Sequence, residues 1–317
     1  MAFIRQVFAT FAVIALLAGT PANAALDPAG HWVLKAEERI LATLSLEPAK
    51  KDGSWTGTLS RPATIESLRG SFYKIFGPVT VFRVSGTMLG QDKLELRMAR
   101  ESSSGAAFLF ELVDRDHAAL QPIGAGLEAW MLTRTATPQK VADGWKPKVM
   151  YDADADWPSN LEMIRIFDQD QAARQDVTKI DWAIVAREDE KRCQRTKQLL
   201  DAGKLRSGED FVHAAFIYQH GGKPDDYLMA HTLATISAAK GWRNAAWIAA
   251  ATLDRYLQNV GQRQIYGTQY QTPPGVGPTQ EPYDRILISD ALRAAMGVPP
   301  LAEQEQRRKA METKPKR

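Results

Sequence analysis

The chain has 317 residues, a formal net charge of +3 and a hydrophobic fraction of 44%. That length is enough for two domains of ordinary size. The basic excess is concentrated in residues 307–317, which argues against a polyanion-binding surface and therefore against a nucleic-acid partner. The single cysteine, Cys193, excludes an internal disulfide and has no cysteine partner for a metal site.

Residues 1–24 have the pattern of a secretory signal peptide. Arg5 precedes an apolar run, Val7 to Gly19, that is too short to span a membrane. Small residues follow as far as Ala24, and we predict cleavage after that residue. No cysteine lies near this point and no later apolar run is long enough to span a membrane. The sequence therefore predicts an exported protein, periplasmic or secreted, that is not membrane-spanning.

Residues 25–136 form a predicted antiparallel β domain, because short apolar runs are separated by Gly, Asp and Ser turns. The predicted strands are His31–Leu34, Ile40–Leu46, Trp55–Leu59, Val79–Val84, Lys93–Met98, Ala107–Leu112 and Trp130–Leu132. This spacing indicates a barrel or a sandwich. The tripeptide Gly30-His31-Trp32 resembles the G-x-W start of lipocalin-like barrels. That resemblance leaves two interiors open, a ligand cavity or a core filled by side chains, and small barrels favour the filled core.

Residues 137–157 lack periodicity and are rich in Pro, Asp and Lys, so we interpret them as a linker or a strap at the domain boundary. Asp152, Asp154 and Asp156 alternate as in a calcium loop. The glycine and the glutamate that complete such a loop are missing. A solvated turn and a helix N-cap are the favoured interpretation.

Residues 158–298 form a predicted all-α domain, so the overall fold class is α+β. A first helix follows Pro158. A long helix from about Asp181 to Leu200 has a charged middle facing water, and the residues available for burial are Trp182, Ile184, Val185, Leu199 and Leu200. Ser207 and Asp210 form a capping-box pattern before the third helix. The fourth helix begins at Pro224 and the fifth near Asn244, ending at Gly261.

Alanines recur through the third to fifth helices, which predicts closely approaching helix hairpins similar to tetratricopeptide-type packing. A last helix is predicted over Tyr283–Met296. Residues 299–317 are predicted to be a charged, frayed tail.

The helical half resembles a family of uncharacterised bacterial domains that end in a Q-x-Y-G-T-Q motif. The motifs that carry this resemblance occur in the family's order over about 110 residues. They are Asp170-Gln171-x-x-Arg174, Gln219-His220-Gly221, Asp254-Arg255 and Gln264-x-Tyr266-Gly267-Thr268-Gln269. The resemblance implies no established activity, substrate or cofactor, and it does not extend to the β domain.

Three roles are open for these residues. In the first, His220, Asp254 and Arg255 pin the hexapeptide Gln264–Gln269 to the helices as a polar clasp. In the second, the same loop is the floor of a cleft that binds a protein, a peptide or a small molecule, with Arg255 suited to a carboxylate. In the third, a hydrolase uses His220 as the base and Asp225, Asp226 or Asp254 as its partner.

The sequence favours a binding module over an enzyme, because no nucleophile motif of the G-x-S-x-G kind is present. No cofactor is indicated and no metal site is predicted. His213 and His220 would lie about 10 Å apart along a helix, too far to share one ion. His213 is interpreted as a histidine at the edge of the core.

Overall fold

The computed structural model describes residues 27–49, 53–68, 71–99, 106–124, 127–146, 149–153, 157–175 and 180–312. The predicted signal peptide, Asp154 and Asp156 lie outside these ranges. The chain divides into two compact units, Met1–Ala153 and Asp154–Arg317, and the boundary falls inside the segment predicted as a linker. No helix among the described residues combines the length and the hydrophobicity needed to cross a membrane.

The first unit is a closed antiparallel barrel of eight strands. The strands are β1 (Gly30–Ala36), β2 (Arg39–Pro48), β3 (Trp55–Leu68), β4 (Ser71–Met88), β5 (Lys93–Met98), β6 (Ala107–Leu112), β7 (His117–Pro122) and β8 (Trp130–Thr135). Each strand pairs with the next, and pairing of β8 with β1 closes the barrel. A short strand, β9 (Tyr151–Asp152), pairs with the start of β4. The barrel alternative is therefore confirmed over the sandwich.

Two strands, β7 and β9, were missed by the sequence analysis, and five are longer than predicted, β3 and β4 by the most. The segment of β7 reads HAALQP, which is short and has no β-branched residue. The β3–β4 hairpin continues past residue 59 with register shifts at Pro62 and Thr64. Its distal part places Phe72 and Ile75, both fully buried, in the barrel core.

The barrel core is built from inward-facing side chains of every barrel strand. Trp32 packs edge-on against Phe110 at 5.3 Å between ring centroids, and Leu41, Leu94 and Leu132 are also buried there. The Arg134 guanidinium lies 4.1 Å from the Trp32 ring centre and donates to the carbonyl groups of Asp27, Ala29 and Arg115. This contact ties the start of β1 to the end of β8.

The segment that precedes β9 packs on the barrel. Ala142 donates its backbone N–H to Ile40 at 2.8 Å. Trp145 lies under the Arg39 guanidinium, 4.1 Å from its ring centre, and meets Tyr151 edge-on at 4.9 Å. Asp152 accepts a hydrogen bond from the Ser71 hydroxyl at 2.6 Å.

The second unit contains seven helices in its described residues. They are α1 (Leu161–Ala172), α2 (Trp182–Asp201), α3 (Gly208–Tyr218), α4 (Pro224–Ala239), α5 (Ala245–Asn259), α6 (Asp290–Ala295) and α7 (Leu301–Glu312). The capping box of Ser207 and Asp210 is present, and Pro224 opens α4 as predicted. Helix α3 packs against α1, α2, α4 and α5 and is the central element of this unit.

Small side chains allow these helices to approach closely. Ala214 and Ala215 of α3, Ala230 and Ala234 of α4, and Ala245 of α5 are each fully buried in one core. Met163, Ile217, Leu233 and Ile248 fill the spaces between them. The position of α3 fixes where its C-terminal residues, Gln219 and His220, meet the neighbouring helices.

Three expectations about the helical unit were wrong. The buried side of α2 carries Val185, Asp189, Thr196 and Leu199, so Trp182 and Ile184 fall on the exposed face and the charged middle does not all face water. The last predicted helix is only Asp290–Ala295, and Tyr283 belongs to the loop before it. Residues 301–312 are not frayed: they form α7, which buries Gln304 at 1% exposure.

Candidate functional site

The hexapeptide Gln264–Gln269 is held to α5 by one carboxylate. Asp254, which is fully buried, accepts hydrogen bonds from the backbone N–H groups of Ile265, Tyr266 and Thr268 at 2.8 to 3.0 Å. The Thr268 hydroxyl donates a fourth at 2.8 Å. Three converging N–H groups give a carboxylate a strongly favourable site, so the loop is organised around Asp254.

Glutamine side chains complete the hydrogen bonding of the loop. The Gln264 side chain accepts from the Gln269 N–H and donates to the Gln269 carbonyl, both at 3.0 Å. Gln280 donates to the Gly267 carbonyl at 2.6 Å, and Gln304 of α7 donates to the Tyr266 carbonyl at 2.9 Å. Most of the loop's backbone N–H and C=O groups are therefore hydrogen-bonded to other groups of the protein.

Gly267 lies where no other residue fits. Its φ of +81° is in the left-handed region, and a Cβ there would clash with Gln304 Oε1 and the Tyr283 ring. The Tyr283 hydroxyl donates to the Tyr266 carbonyl at 3.0 Å and accepts from the fully buried Arg293 at 3.1 Å. The glycine of the motif thus allows Gln304 of α7 and Tyr283 to pack closely against the hexapeptide.

Arg255 bridges the end of α3 and the hexapeptide. Its Nη1 donates to the Gln219 carbonyl at 2.7 Å and its Nε donates to Gln269 Oε1 at 3.2 Å. The Tyr227 ring centre lies 5.7 Å from the guanidinium carbon. Asp254 and Arg255 do not pair with each other, since each has other partners. Burial lowers the pKa of the Arg255 guanidinium, and no carboxylate of the described residues forms an ion pair with it.

His220 does not pin the hexapeptide as predicted, and its partner is none of Asp225, Asp226 and Asp254: among the described residues its side chain bonds to Asp170. Its Nδ1 lies 3.0 Å from Asp170 Oδ1, and because a carboxylate only accepts, the imidazole donates from this nitrogen. The aspartate beside His220 is therefore Asp170 of α1, whereas Asp254 bonds to the hexapeptide. Gln171 donates its amide to the other oxygen of Asp170 at 2.9 Å.

Two arginines and a second aspartate surround this pair. Arg174 donates to Asp170 at 2.8 Å and to Asp189 of α2 at 2.5 Å. Arg192 donates to Asp189 at 2.6 Å and lies 3.6 Å from Asp170. Two carboxylates are thus paired with two guanidinium groups. Such pairing is expected because an unpaired buried charge has a high desolvation cost.

The same cluster has the spacing of a metal site but not its chemistry. Asp170, Asp189 and His220 each offer a ligand atom within 4.8 Å of the others. Arg174, however, already donates to both carboxylates, and Arg192 donates to Asp189 and lies 3.6 Å from Asp170. A divalent metal ion would therefore have to displace two guanidinium groups from a site with no net negative charge. The donor set does not fit a metal ion.

Asp189 and Arg192 were missed by the sequence analysis because they lie in a run of charged residues. Their signal was present: Val185, Asp189, Arg192, Thr196 and Leu199 follow one face of a helix. Gln280, Tyr283 and Gln304 carried no comparable signal, since single glutamines in polar stretches have no distinctive pattern.

Three other titratable side chains, those of His213, His231 and Cys193, lie at least partly buried in the helical unit. His213 stacks on Phe167 at 4.0 Å between ring centroids, with an interplanar angle of 11°, and burial lowers the pKa of its imidazole. His231 donates from Nδ1 to the Ala249 carbonyl at 2.9 Å. Burial raises the pKa of the Cys193 thiol to about 12, so it is not a nucleophile at neutral pH.

Comparison of the chain with models of protein families gave no match. Comparisons with curated proteins and with solved structures gave no significant match either.

Proposed function

We propose that the chain is an exported binding module whose recognition surface lies on the helical unit, at the C-terminal end of α3. The hexapeptide serves there as a polar clasp: Asp254, Gln280 and Gln304 hold it, and it in turn orients Arg255 through Gln269. Export rests on the signal-peptide pattern of residues 1–24. The proposal also includes membership of the bacterial domain family with the Q-x-Y-G-T-Q motif. It includes a lipocalin-like character for the barrel as well.

The observation that carries this proposal is the contrast between the hexapeptide and the residues beside it. Most backbone groups of the loop are hydrogen-bonded within the protein. Arg255 keeps one guanidinium nitrogen, Nη2, without a partner in the described part of the chain. His220 likewise uses only Nδ1. A clasp that fixes polar groups while leaving a guanidinium donor and an imidazole nitrogen available is what a preorganised binding site needs.

Helix hairpins of the tetratricopeptide kind would suit this role. Helix α4 packs against both α3 and α5, so consecutive helices are neighbours. Such hairpins present peptide-binding surfaces along one side of a stack. The partner class we propose is accordingly a protein segment, a peptide or a small molecule.

Peptide binding to the full chain tests this function. Pools of short synthetic peptides, half with a free and half with an amidated C-terminus, would be screened by thermal shift against wild type, Arg255→Gln and His220→Asn. We expect some peptides to raise the melting temperature of wild type and to lose that effect in Arg255→Gln. If no pool shifts wild type, while both variants are simply less stable, the clasp is structural and the proposed function is wrong.

A hydrolase is the second candidate, and one observation favours it. His220 donates Nδ1–H to Asp170 at 3.0 Å and keeps Nε2 without a partner in the described residues, as a general base does. No described Ser, Thr or Cys side chain hydrogen-bonds to this imidazole, so the nucleophile would be water. Turnover of p-nitrophenyl acetate that disappears in His220→Asn, but persists in His231→Asn, would support hydrolysis; equal rates in all three would exclude it.

A further inference from the structure

Arg255 differs from three other enclosed arginines of the helical unit because it forms no ion pair with a carboxylate of the described residues; the adjacent Asp254 bonds to the hexapeptide instead. Arg174 and Arg192 lie between Asp170 and Asp189. The fully buried Arg293 has Asp290 at 3.1 Å. Arg255 instead has two neutral acceptors, Gln219 O and Gln269 Oε1, and an aromatic ring. Guanidinium groups withdrawn from water are normally paired with an anion.

The guanidinium is also held in one orientation. Nε and Nη1 are tied to groups on two different elements, the hexapeptide and the end of α3. Nη2 has no hydrogen-bond partner in the described part of the chain. It is not one of the fully enclosed polar atoms that lack a partner, so it keeps contact with solvent. A planar fork fixed in this way loses little rotamer entropy when it binds an anion.

A second nearly buried polar group lies beside it. Gln219 is 8% exposed, and its backbone carbonyl accepts from Arg255. Its side-chain amide has no hydrogen-bond partner within the described ranges. The amide is not one of the fully enclosed polar atoms that lack a partner, so, like Nη2, it keeps contact with solvent and can donate to an incoming group.

We infer that Arg255 and the Gln219 amide bind a single carboxylate. This inference rests on the proposed binding function and specifies its ligand class. One guanidinium matches one negative charge, whereas the neighbouring cluster of Asp170, Asp189, Arg174 and Arg192 is already balanced and offers no second positive charge to a phosphate dianion. The Tyr227 ring covers the guanidinium on one side and excludes water there. The chemistry is shared by a peptide C-terminus and a free small carboxylic acid.

The test uses the full chain and two matched probes, N-acetyl-trialanine with a free carboxylate and the same peptide as its amide. Binding is measured by calorimetry and by the NMR signal of the Arg255 Nε–H in wild type. We expect the acid to bind at least tenfold more tightly than the amide and to shift the Arg255 signal. N-acetylalanine distinguishes the sources: weaker binding than the tripeptide indicates a peptide terminus, and equal binding indicates a free small acid, both consistent with a carboxylate site.

Two variants distinguish binding at Arg255 from a general attraction of the acid to positive charge. Arg255→Gln should lose at least tenfold in affinity for the acid, while Arg263→Gln, which removes the same charge from an exposed position, should leave it unchanged. Equal binding of acid and amide would refute the carboxylate site and leave the binding function standing. Binding of neither peptide in wild type would overturn both. Tighter binding of inorganic phosphate than of the acid would also overturn the inference. The NMR shift in wild type tests the site even if Arg255→Gln folds poorly.

Discussion

At the scale of single residues, Asp254 is the side chain on which the hexapeptide depends most. Its two oxygens accept four hydrogen bonds, three of them from backbone N–H groups of the hexapeptide. Asp254→Asn replaces one acceptor oxygen by a donor that faces N–H and O–H groups. We expect a loss of about 2–4 kcal/mol in the free energy of unfolding, measured with urea.

Asp225→Asn is the matched control for that change. Asp225 is exposed in the first turn of α4, and the same substitution there should alter stability by no more than about 0.5 kcal/mol. A loss at Asp254 as small as that at Asp225 would mean that the carboxylate does not organise the loop.

His213 gives the helical unit a pH dependence of known sign. Burial, the largest cause, lowers the pKa of the imidazole below its ordinary value of 6.5, although Glu209, Asp210 and Asp168 act in the opposite direction. The unfolded chain therefore takes up a proton first as the pH falls. The stabilisation is complete above pH 6.5 and is lost as the pH drops below that value toward the folded pKa.

His213→Phe should remove this contribution while keeping the stack on Phe167. At pH 7.5 we expect a stability within about 1 kcal/mol of wild type. Between pH 7.5 and pH 5.5 the urea midpoint of the variant should fall less than that of wild type. Parallel pH profiles for the two proteins would show that His213 keeps its ordinary pKa in the fold.

At the scale of elements, α7 acts on the hexapeptide through one side chain. Gln304 is 1% exposed and donates to the Tyr266 and Pro299 carbonyls, while its Oε1 accepts from Gln280 at 3.1 Å and lies 3.2 Å from the Tyr283 hydroxyl. Gln304→Ala leaves several of these groups unpaired, at a cost of about 2 kcal/mol. Backbone hydrogens of Tyr266 and Thr268 should exchange faster, although both amides bond to Asp254 rather than to Gln304.

Gln306 provides the comparison on the same helix. It is exposed, so Gln306→Ala should leave both exchange rates unchanged. Exchange at Tyr266 that is the same in wild type and Gln304→Ala would show that α7 is dispensable for the loop.

These elements also show what could be predicted from the sequence. Local patterns were reliable guides: the capping box of Ser207 and Asp210 and the proline that opens α4 depend on neighbouring residues only. The hexapeptide's partners could not be predicted in the same way, because Gln280, Tyr283 and Gln304 reach it across 13 to 38 residues. Hydrogen bonds over such separations leave no periodic signal.

Burial on α2 was predicted wrongly where residue type was given more weight than position on the helix. Trp182 and Ile184 were expected to be buried because they are apolar, yet they are 48% and 50% exposed. Asp189 was expected to face water because it is charged, yet it lies on the buried face of α2 beside Arg174 and Arg192. The helical spacing from Val185 to Leu199 decides burial here, and paired charges can occupy it.

At the scale of the whole molecule, the chain has two separate hydrophobic cores. One is built around Trp32, Phe72 and Phe110 of the barrel, and the other around Met163, Ile217 and Ile248 of the helical unit. Closure of the barrel by β1 and β8 leaves each of its strands paired on both sides. Each unit thus meets the requirements for folding alone.

We therefore expect residues 25–153 and residues 154–317, produced as separate proteins, each to unfold in one cooperative transition. Each should show a near-ultraviolet circular dichroism spectrum typical of fixed aromatic side chains, and the two spectra should sum to that of the full chain. Trp32→Ala should abolish the transition of the first segment, because it removes the largest side chain from that core. Asp254→Asn should destabilise only the second segment. A segment that binds a dye for exposed hydrophobic surface and melts without cooperativity would show that its core is insufficient without the rest of the chain.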